Sequence, residues 1–442
     1  MKGGRSGSAD LTEYPINPEA FTFLSRASEA VYDFTYSEPI SGAPAQVMAA
    51  LQSTIDYSEA RTGKSEGDEV LQKCVEIYSR HGIECSESNI ALSNSILHTI
   101  TDAYESCKIG RGDTVLVAAP TFGYYIKQLQ LKGIDFQVIP TRKENDFLID
   151  PSVLEDALVR YNAKVLLMCN PNNPTGSIMT QEAAQRIAEV VRRHDVFVIS
   201  DEAFLELQLS EDKKHFPFYI AAPERTLMVS SMSKTMGLPL HISFCVGPED
   251  TIRYIKGVNL SGQSNLAKDV LLAAIDNTEE NQAYLATNRK KYADNTQLLK
   301  EKVSELNQKF CTIFNEGKHG SEAYVKPYIE DPSATNLYLL DFSGLQGKNY
   351  KNKELTTGLD ISEWLLQESS VGVVPGECSL FPPEDMLVRI AIGCKPDKII
   401  KAFDKVITTA LNISNAPTRS VSPVVTQTAP VLPSTTRGTN TK

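Results

Sequence analysis

Residues 230–239 (SSMSKTMGLP) place one lysine among small hydroxyl side chains, directly after the apolar run 226–229. That run predicts a buried strand, so we expect Lys234 at the strand's carboxyl end. Burial disfavours the ammonium form and lowers a lysine pKa, and a neutral lysine can attack a carbonyl carbon to form an imine. The alternative is a surface lysine in a turn, with its stem along apolar surface. The other motifs must decide between the two.

A second candidate is Asp201, in the sequence SDEAF after the apolar run 196–199. A carboxylate at the end of a central strand is poorly solvated and favours a cationic or protonated partner. The alternative is a helix N-cap, a common role for aspartate after a strand. The motif by itself leaves both interpretations open.

Residues 170–176 (NPNNPTG) follow another apolar run, 165–169. Two X-Pro steps and a closing glycine predict an extended, rigid loop, which could hold one asparagine amide in a fixed position. A plain turn would explain the prolines and the glycine, but it does not need three asparagines.

Ser93, Asn94 and Ser95 come after the run 90–92 and open a predicted helix. The free backbone N–H groups of a first helical turn, together with the helix dipole, favour an anion such as a phosphate. Capping of the helix by serine or asparagine is equally compatible with this pattern.

The elements that position these motifs alternate regularly from residue 90 to residue 246. Near-continuous apolar strands separated by crossover helices predict an α/β fold, a mostly parallel sheet with helices on both faces in three layers. In such a sheet ligands bind beyond the carboxyl ends of the strands, where all four motifs fall. Strands are predicted at 90–92, 114–118, 136–139, 165–168, 196–199, 226–229 and 243–246, and helices at 95–107, 123–132, 151–161 and 180–194.

The flanking regions predict an arm and a second, smaller α+β domain. We expect an N-terminal arm (1–44) that belongs to the small domain, a large domain (45–285), the small C-terminal domain (286–414) and a disordered tail (415–442). Within them the patterns predict strands at 32–36, 336–341, 371–374 and 387–391, and helices at 43–51, 68–80, 249–277, 279–308, 361–369 and 396–412.

Composition excludes several classes of protein. The chain has 442 residues and a formal net charge of −11, which disfavours nucleic acid and anionic membranes as partners. No apolar run is long enough to cross a bilayer and residues 1–8 lack the apolar core of a signal peptide, so we expect a cytoplasmic protein. The eight cysteines stand singly, which predicts reduced thiols and no metal site. Dinucleotide, P-loop and zinc-protease signatures are absent.

Taken in order, the four motifs resemble the class I and II aminotransferases, pyridoxal-phosphate enzymes of fold type I. The resemblance covers about residues 30 to 412, and the succession of NPxNPTG, DEA and SxSK is highly specific. Further matching stretches are Tyr57, 120–122 (PTF), 373–376 (VVPG) and 388–391 (VRIA).

The resemblance implies a role for each matching residue. Lys234 would form the imine with pyridoxal phosphate and later move the substrate proton, while Asp201 would keep the pyridine nitrogen protonated. Asn173 would bind the cofactor's phenolic oxygen and contact the substrate, and Phe122 would stack on the ring. The positions that match the phosphate-binding set are Ser93, Asn94, Ser95, Ser231 and Ser233.

The same resemblance implies partners. Arg389 would bind the α-carboxylate of an amino acid substrate, for which a planar bidentate group is suited. In the family, the tyrosine at the position of Tyr57 reaches the phosphate in the neighbouring subunit, which implies a homodimer with shared active sites. Residues 261–265 are expected to approach the partner's site too. A 2-oxo acid would be the second substrate of a transamination.

Two positions depart from the family pattern. Phe204 stands where a tyrosine usually donates to the cofactor's phenolate, and losing that donor should keep the imine protonated at neutral pH. His241 stands where an arginine usually pairs with the phosphate, in a run one residue shorter than usual.

We therefore expect a pyridoxal-phosphate-dependent aminotransferase. The alternatives are a lyase, cyclase or oxidase of a specialised amino acid, because the protein selects among these reactions by orienting the labile bond. A catalytically inactive relative is the third hypothesis, and the presence of both Lys234 and Asp201 argues against it.

Overall fold

The computed structural model describes residues 17–56, 67–238, 240–259, 262–315 and 323–415. The α-helices in these ranges are α1 (Pro18–Ala27), α2 (Ala45–Asp56), α3 (Gly67–Arg80), α4 (Ile96–Ser106), α5 (Tyr124–Lys132), α6 (Pro151–Tyr161), α7 (Gln181–Arg193), α8 (Phe218–Ala221), α9 (Ser233–Met236), α10 (Glu249–Val258), α11 (Asn265–Ile275), α12 (Glu279–Ile313), α13 (Gly358–Ser369) and α14 (Pro396–Thr409). The strands are β1 (Tyr32–Asp33), β2 (Ile90–Ser93), β3 (Thr114–Ala119), β4 (Asp135–Pro140), β5 (Val165–Cys169), β6 (Phe197–Asp201), β7 (Thr226–Ser230), β8 (Ser243–Val246), β9 (Lys326–Pro327), β10 (Leu337–Asp341), β11 (Lys348–Tyr350), β12 (Lys353–Glu354), β13 (Val371–Gly372), β14 (Val374–Pro375), β15 (Leu387–Ala391) and β16 (Ile413–Asn415).

The largest sheet has seven strands in the order β2-β8-β7-β6-β5-β3-β4. Strand β8 pairs antiparallel with both of its neighbours, and the other pairs in the sheet are parallel. Alternate residues of β3 enter different apolar cores, Val115 and Val117 on one face and Leu116 and Ala118 on the other. Burial on both faces explains why these strands are continuously apolar. The predicted three-layer α/β/α arrangement is confirmed.

Two local predictions differ from the structure. The run 249–277, predicted as one helix, is divided into α10 and α11 because Gly262 has a φ of +63° and Ser264 caps α11 by accepting from the Ala267 N–H. Helix α1 is absent from the sequence-based prediction. Its start has a recognisable signal, since Asn17 caps the helix and Pro18 occupies its first turn.

The smaller part of the molecule is built on an antiparallel sheet in the order β14-β15-β10-β9. Helix α12 has 35 residues and is therefore about 50 Å long. Its Leu285 packs with the core of the large sheet, whereas Tyr292 and later residues pack with the core of the small sheet. The predicted boundary at 285/286 falls between these two sets, inside a continuous helix, and stays a prediction.

The first described residues pack on the C-terminal part of the chain. Strand β1 pairs in parallel with β13, with Tyr32 opposite Val371. A Cβ atom on Gly372 would lie 2.0 Å from the Ala27 carbonyl oxygen, so only glycine allows this approach of α1. At the other end Asn415, where the tail is predicted to begin, closes β16, and residues 416–442 lie outside the described ranges. No helix in the described ranges is both long and apolar enough to cross a membrane.

Candidate active site

A cavity of about 710 Å³ opens beyond the carboxyl ends of β5, β6 and β7. The sheet brings to it side chains that lie far apart in the sequence, as expected for parallel strands. The site residues predicted from the sequence that line it are Ser95, Phe122, Asn173, Asp201, Phe204, Ser231, Ser233, Lys234, His241 and Arg389.

Asp201, the last residue of β6, is buried at the floor of this cavity. The Tyr125 phenol donates to Oδ2, and the Ala203 N–H donates to Oδ1 at 3.0 Å. Burial raises the pKa of Asp201 to about 6, although both hydrogen bonds oppose the rise. A carboxylate in this position gains from a cationic partner in the cavity. The alternative role as a helix N-cap is not adopted, since β6 leads into a turn.

Lys234 lies in the short helix α9, which follows β7, and its side chain is half-buried. Nζ donates to the Ser37 carbonyl oxygen at 3.0 Å. Burial, and secondarily the charge of Arg389, lowers the pKa of Lys234, while Glu38 and Asp201 act in the opposite direction. The structure therefore gives this lysine the environment that favours a neutral nucleophilic amine, and not that of a surface turn.

The loop 170–176 divides its three asparagines between structure and site. Asn170 accepts from the Met179 N–H at 2.9 Å, and Asn172 donates to the Pro120 carbonyl at 3.0 Å, so both hold the loop. Asn173 is the one that lines the cavity, where its Oδ1 accepts from Arg389 at 3.3 Å. Two of the three asparagines therefore hold the loop in shape, although a plain turn would not require them.

Arg389 projects from β15 and is only 8% exposed. Its Nη1 donates to Asn173 and its Nη2 to the Thr35 carbonyl, whereas Nε has no partner among the described residues. Burial lowers the pKa of the guanidinium to about 10. A buried cation with an unsatisfied donor is costly, and a ligand carboxylate in the cavity would remove that cost.

The predicted phosphate-binding residues are not all equivalent in the structure. Ser95, Ser231 and Ser233 line the cavity, and Ser95 also caps α4 by accepting from the His98 N–H at 3.1 Å. The first turn of α4, with free N–H groups, faces the same end of the cavity through Ile96. Ser93 is fully buried and Asn94 is exposed, and neither is among the described residues that line the cavity.

His241 is exposed and lies at the same end of the cavity as Ser231. The Ser231 hydroxyl donates to the carbonyl of Ile242, the residue after His241, at 3.0 Å. Phe204 is 3% exposed and presents no hydrogen-bond donor to the cavity. Both departures from the family pattern are thus inside the site. Tyr57 lies outside the described residues.

The arrangement fits pyridoxal phosphate by the chemistry of its groups. A protonated pyridine nitrogen would be the cationic partner that the buried Asp201 favours, and Phe122 would stack on the pyridine ring. The first turn of α4, together with the nearby serines, suits the phosphate group. The buried donor of Arg389 remains for a substrate carboxylate. No cluster of histidine, cysteine or acidic residues suited to a metal ion occurs in the described part of the chain.

Sequence reasoning missed Tyr125 and the segment 35–37. Tyr125 stands three residues after Phe122, within a stretch already singled out, so its phenol could have been considered as a partner of Asp201. The carbonyls of Thr35 and Ser37, which accept from Arg389 and Lys234, leave no signal in side-chain type.

Comparisons with known proteins agree with the geometry. Residues 30–406 match the family described as aminotransferase class I and II. The aspartate aminotransferase of Pyrococcus horikoshii is 26% identical over 388 residues, covering 87% of this chain and 92% of the relative. A probable N-acetyl-LL-diaminopimelate aminotransferase of Bacillus subtilis is 23% identical, covering 89% and 95%.

Among solved structures, the aspartate aminotransferase of Thermus thermophilus with maleate has a TM-score of 0.74 and 22% identity, covering 92% of this chain and all of that one. This likeness shows the fold, and the family match covers most of the chain. The chain therefore belongs to the class I and II aminotransferases and is a pyridoxal-phosphate-dependent, aminotransferase-like enzyme of fold type I.

Proposed function

We propose that this enzyme transfers the amino group of an α-amino acid to a 2-oxo acid, with Lys234, Asp201 and Arg389 as its central residues. The observation that supports this most directly is the half-buried Lys234, with its lowered pKa, in one cavity with the buried Asp201 and Arg389. The names of the relatives, which are aminotransferases, favour transamination over elimination, cyclisation or oxidation.

Each residue has a distinct part in this proposal. Arg389 binds the substrate carboxylate through Nε and Nη, and Asn173 fixes the guanidinium. Lys234 removes the proton from the substrate Cα, because its neutral form is favoured by burial. Asp201 holds a proton on the ring nitrogen of pyridoxal phosphate, which supplies the electron sink when bound.

The test is to incubate the purified enzyme, loaded with pyridoxal phosphate, with a panel of amino acids and 2-oxoglutarate. We expect glutamate to form, and we expect Lys234→Ala to reduce its rate by about a thousandfold or more. Lys256→Ala is the matched control, since that lysine lies on α10 and donates to the Glu87 carbonyl on the surface. Ammonia or a cyclised product without glutamate would identify a lyase, oxidase or cyclase instead, and absence of any cofactor absorbance would identify an inactive relative.

A homodimer with shared sites is part of the proposal, as is a cytoplasmic location. The cysteines in the described ranges are free thiols, which suits a reducing compartment. If Tyr57 serves the neighbouring subunit, a mixed dimer of the Tyr57→Ala and Lys234→Ala subunits carries both defects in one active site and leaves the other site intact.

Mixing the two inactive variants and allowing subunits to exchange should then restore about a quarter of the activity, because half of the dimers are hybrids with one intact site. No recovery, in a mixture shown by mass to contain hybrids, would mean that Tyr57 acts within its own subunit, and an active Tyr57→Ala variant would mean that Tyr57 does not act at the site.

A further inference from the structure

Helix α1 forms one wall of the cavity. One face of the helix lines the cavity with Phe21 and with the residues three and four positions after it, Leu24 and Ser25. The C-cap residue Ser28, seven positions after Phe21, lines it too. Ala20, Phe23 and Ala27 lie buried on the neighbouring face, where Ala20 packs with Val374 and Cys378. The helix is therefore anchored on one side and presents two large apolar side chains to the substrate space on the other.

Tyr124 adds an aromatic ring to this wall. The rings of Phe21 and Tyr124 meet edge to face with centroids 5.8 Å apart, and Phe122 lies 5.2 Å from Tyr124 on the cofactor side. Tyr124 and Tyr36 also line the cavity and are 43% and 64% exposed. These apolar side chains are continuous with the candidate active site and are left partly exposed by the described residues, which indicates a place for an apolar group of the ligand.

Charge is distributed unevenly around the cavity. Among the described lining residues the basic side chains are Lys234, His241 and Arg389, of which Arg389 is assigned to the α-carboxylate and the other two lie nearer the serines. Near the apolar side chains of α1, the lining residue with a charge is Glu29, which follows the helix and is exposed. A second substrate carboxylate would meet this like charge and apolar rings, so its desolvation would be uncompensated.

Lys127 lies against Phe21. Its Nζ is 4.6 Å from the centroid of the Phe21 ring, and it is not among the described residues that line the cavity. A cation–π contact of this kind holds the ring in place. We expect Lys127 to stabilise Phe21 and not to bind the substrate.

We propose that the surface made by Phe21, Leu24 and Tyr124, here called the α1 wall, selects amino acids with a large apolar or aromatic side chain over dicarboxylic ones. This inference rests on the proposed transamination. Helix α1, which lies outside all four cofactor-binding motifs, would thus contribute to substrate specificity.

The first experiment compares kcat/KM for phenylalanine, leucine and methionine with that for aspartate, glutamate and alanine. All six reactions use one 2-oxo acid as the amino acceptor, chosen so that none of the six amino acids yields it as a product. We expect the large apolar substrates to exceed both dicarboxylic substrates by at least about a hundredfold, since an unpaired charge is rejected more strongly than a missing methylene group. A preference for aspartate or glutamate would overturn the proposal.

The second experiment changes the α1 wall. Phe21→Ala should lower kcat/KM for phenylalanine and leucine about 10- to 100-fold and that for alanine less than about threefold. Leu24→Ala should act in the same direction. The matched control is Thr22→Ala, because Thr22 lies on the same helix, is exposed, is not among the described residues that line the cavity, and donates to the Pro18 carbonyl at 3.0 Å. An equal loss for alanine and phenylalanine would show a structural role and contradict the proposal.

Lys127→Met decides whether the lysine is an anchor. We expect an unchanged order of substrates; a selective loss of dicarboxylate turnover would show that Lys127 reaches the substrate and that the assignment of the wall is wrong.

Binding of unreactive acids separates this inference from the proposed function. Calorimetry with the cofactor-loaded enzyme should show 3-phenylpropanoate binding at least tenfold tighter than glutarate, and Phe21→Ala should abolish that difference. If no amino acid yields glutamate but this difference is observed, the transamination fails and the apolar selectivity stands. If glutamate forms but glutarate binds more tightly, the transamination stands and the selectivity fails.

Discussion

Arg389 combines three properties that a carboxylate-binding residue requires. It is buried, it is held in place by Asn173 and the Thr35 carbonyl, and it keeps Nε without a partner among the described residues. The planar fork of a guanidinium can bind both oxygens of a carboxylate, whereas an ammonium group offers a single charged point.

Replacing Arg389 by lysine should therefore raise KM for the amino acid about 10- to 100-fold, because the bidentate contact is lost while the charge remains. Steady-state kinetics measure this, with Arg253→Lys, at an exposed position of α10, as the control. A KM within about twofold of the wild-type value would mean that another group binds the carboxylate.

Phe204 is a second residue with a testable consequence. It is buried in the cavity wall, within the turn that follows Asp201, and it lacks the phenol that a tyrosine would offer to the cofactor's phenolic oxygen. Phe204→Tyr should lower the midpoint of the pH titration of the cofactor's visible absorption band by about one pH unit, the value of one hydrogen bond.

Phe204→Leu has no donor either and should leave that midpoint nearly unchanged. In the wild-type enzyme we expect the cofactor's visible absorption band, which reports the protonated imine, to remain unchanged up to neutral pH. A wild-type band that changes well below neutrality, or a tyrosine variant with the same midpoint, would refute this account of the departure from the family pattern.

Among the elements, the contact between the start of α5 and the segment after β14 fixes the position of α1. A Cβ atom on Gly123 would lie 2.0 Å from the Cys378 carbonyl oxygen and 2.8 Å from Cζ of Phe21. Gly123 has a φ of −63°, which alanine adopts without strain, so the cost of a side chain here is purely steric.

Gly123→Ala should destabilise the protein by about 1–3 kcal/mol and displace Phe21, because the backbone of residue 378 cannot yield as a flexible side chain would. Urea denaturation measures the first effect. Gly110→Ala is the control, since a Cβ there meets nothing within 4 Å, and its effect should stay within about 0.5 kcal/mol. Equal stabilities of the two variants would show that α1 is not fixed by this contact.

The elements also show how far sequence reasoning extends. The strands of the large sheet and the motifs at their ends were predictable, because continuous apolar runs and local turn residues are properties of neighbouring positions. Asn173 could be assigned to the cavity only through the resemblance, since Asn170 and Asn172 are of the same type and serve the loop. Helix α1 could have been predicted from Asn17 and Pro18, but its place in the cavity depends on contacts with Gly372, Val374 and Cys378, more than 340 positions away, which no local pattern encodes.

At the scale of the whole molecule, one buried carboxyl group couples stability to pH. Glu377 is 3% exposed, accepts from the Leu359 N–H at 2.9 Å at the start of α13, and its pKa is raised from 4.5 to about 7, chiefly by burial. The folded protein therefore holds this proton more tightly than the unfolded chain does between these two values. The contribution of Glu377 to the free energy of unfolding is therefore fully present below about pH 4.5 and is lost as the pH rises towards 7.

Glu377→Gln removes the titrating group but keeps an oxygen that can accept from Leu359. We expect its free energy of unfolding to fall less between pH 5 and pH 8 than that of the wild type, by up to about 3 kcal/mol. Denaturant unfolding at several pH values measures the slopes. Parallel curves for the two proteins would exclude Glu377 as the source, and Glu363→Gln, at a partly exposed position of α13, is the control.

The pairing of β1 with β13 joins residues 32–33 to residues 371–372. A ribosome releases the first of these segments long before the second, so for most of the time that the chain is being synthesised α1 lacks the C-terminal surface on which it packs. The sheet that carries Lys234 and Asp201 can assemble from residues already available, whereas the wall that we assign to substrate choice must wait for the last tenth or so of the described chain. In the order of biosynthesis, Lys234 and Asp201 thus join their sheet first, and the α1 wall is completed last.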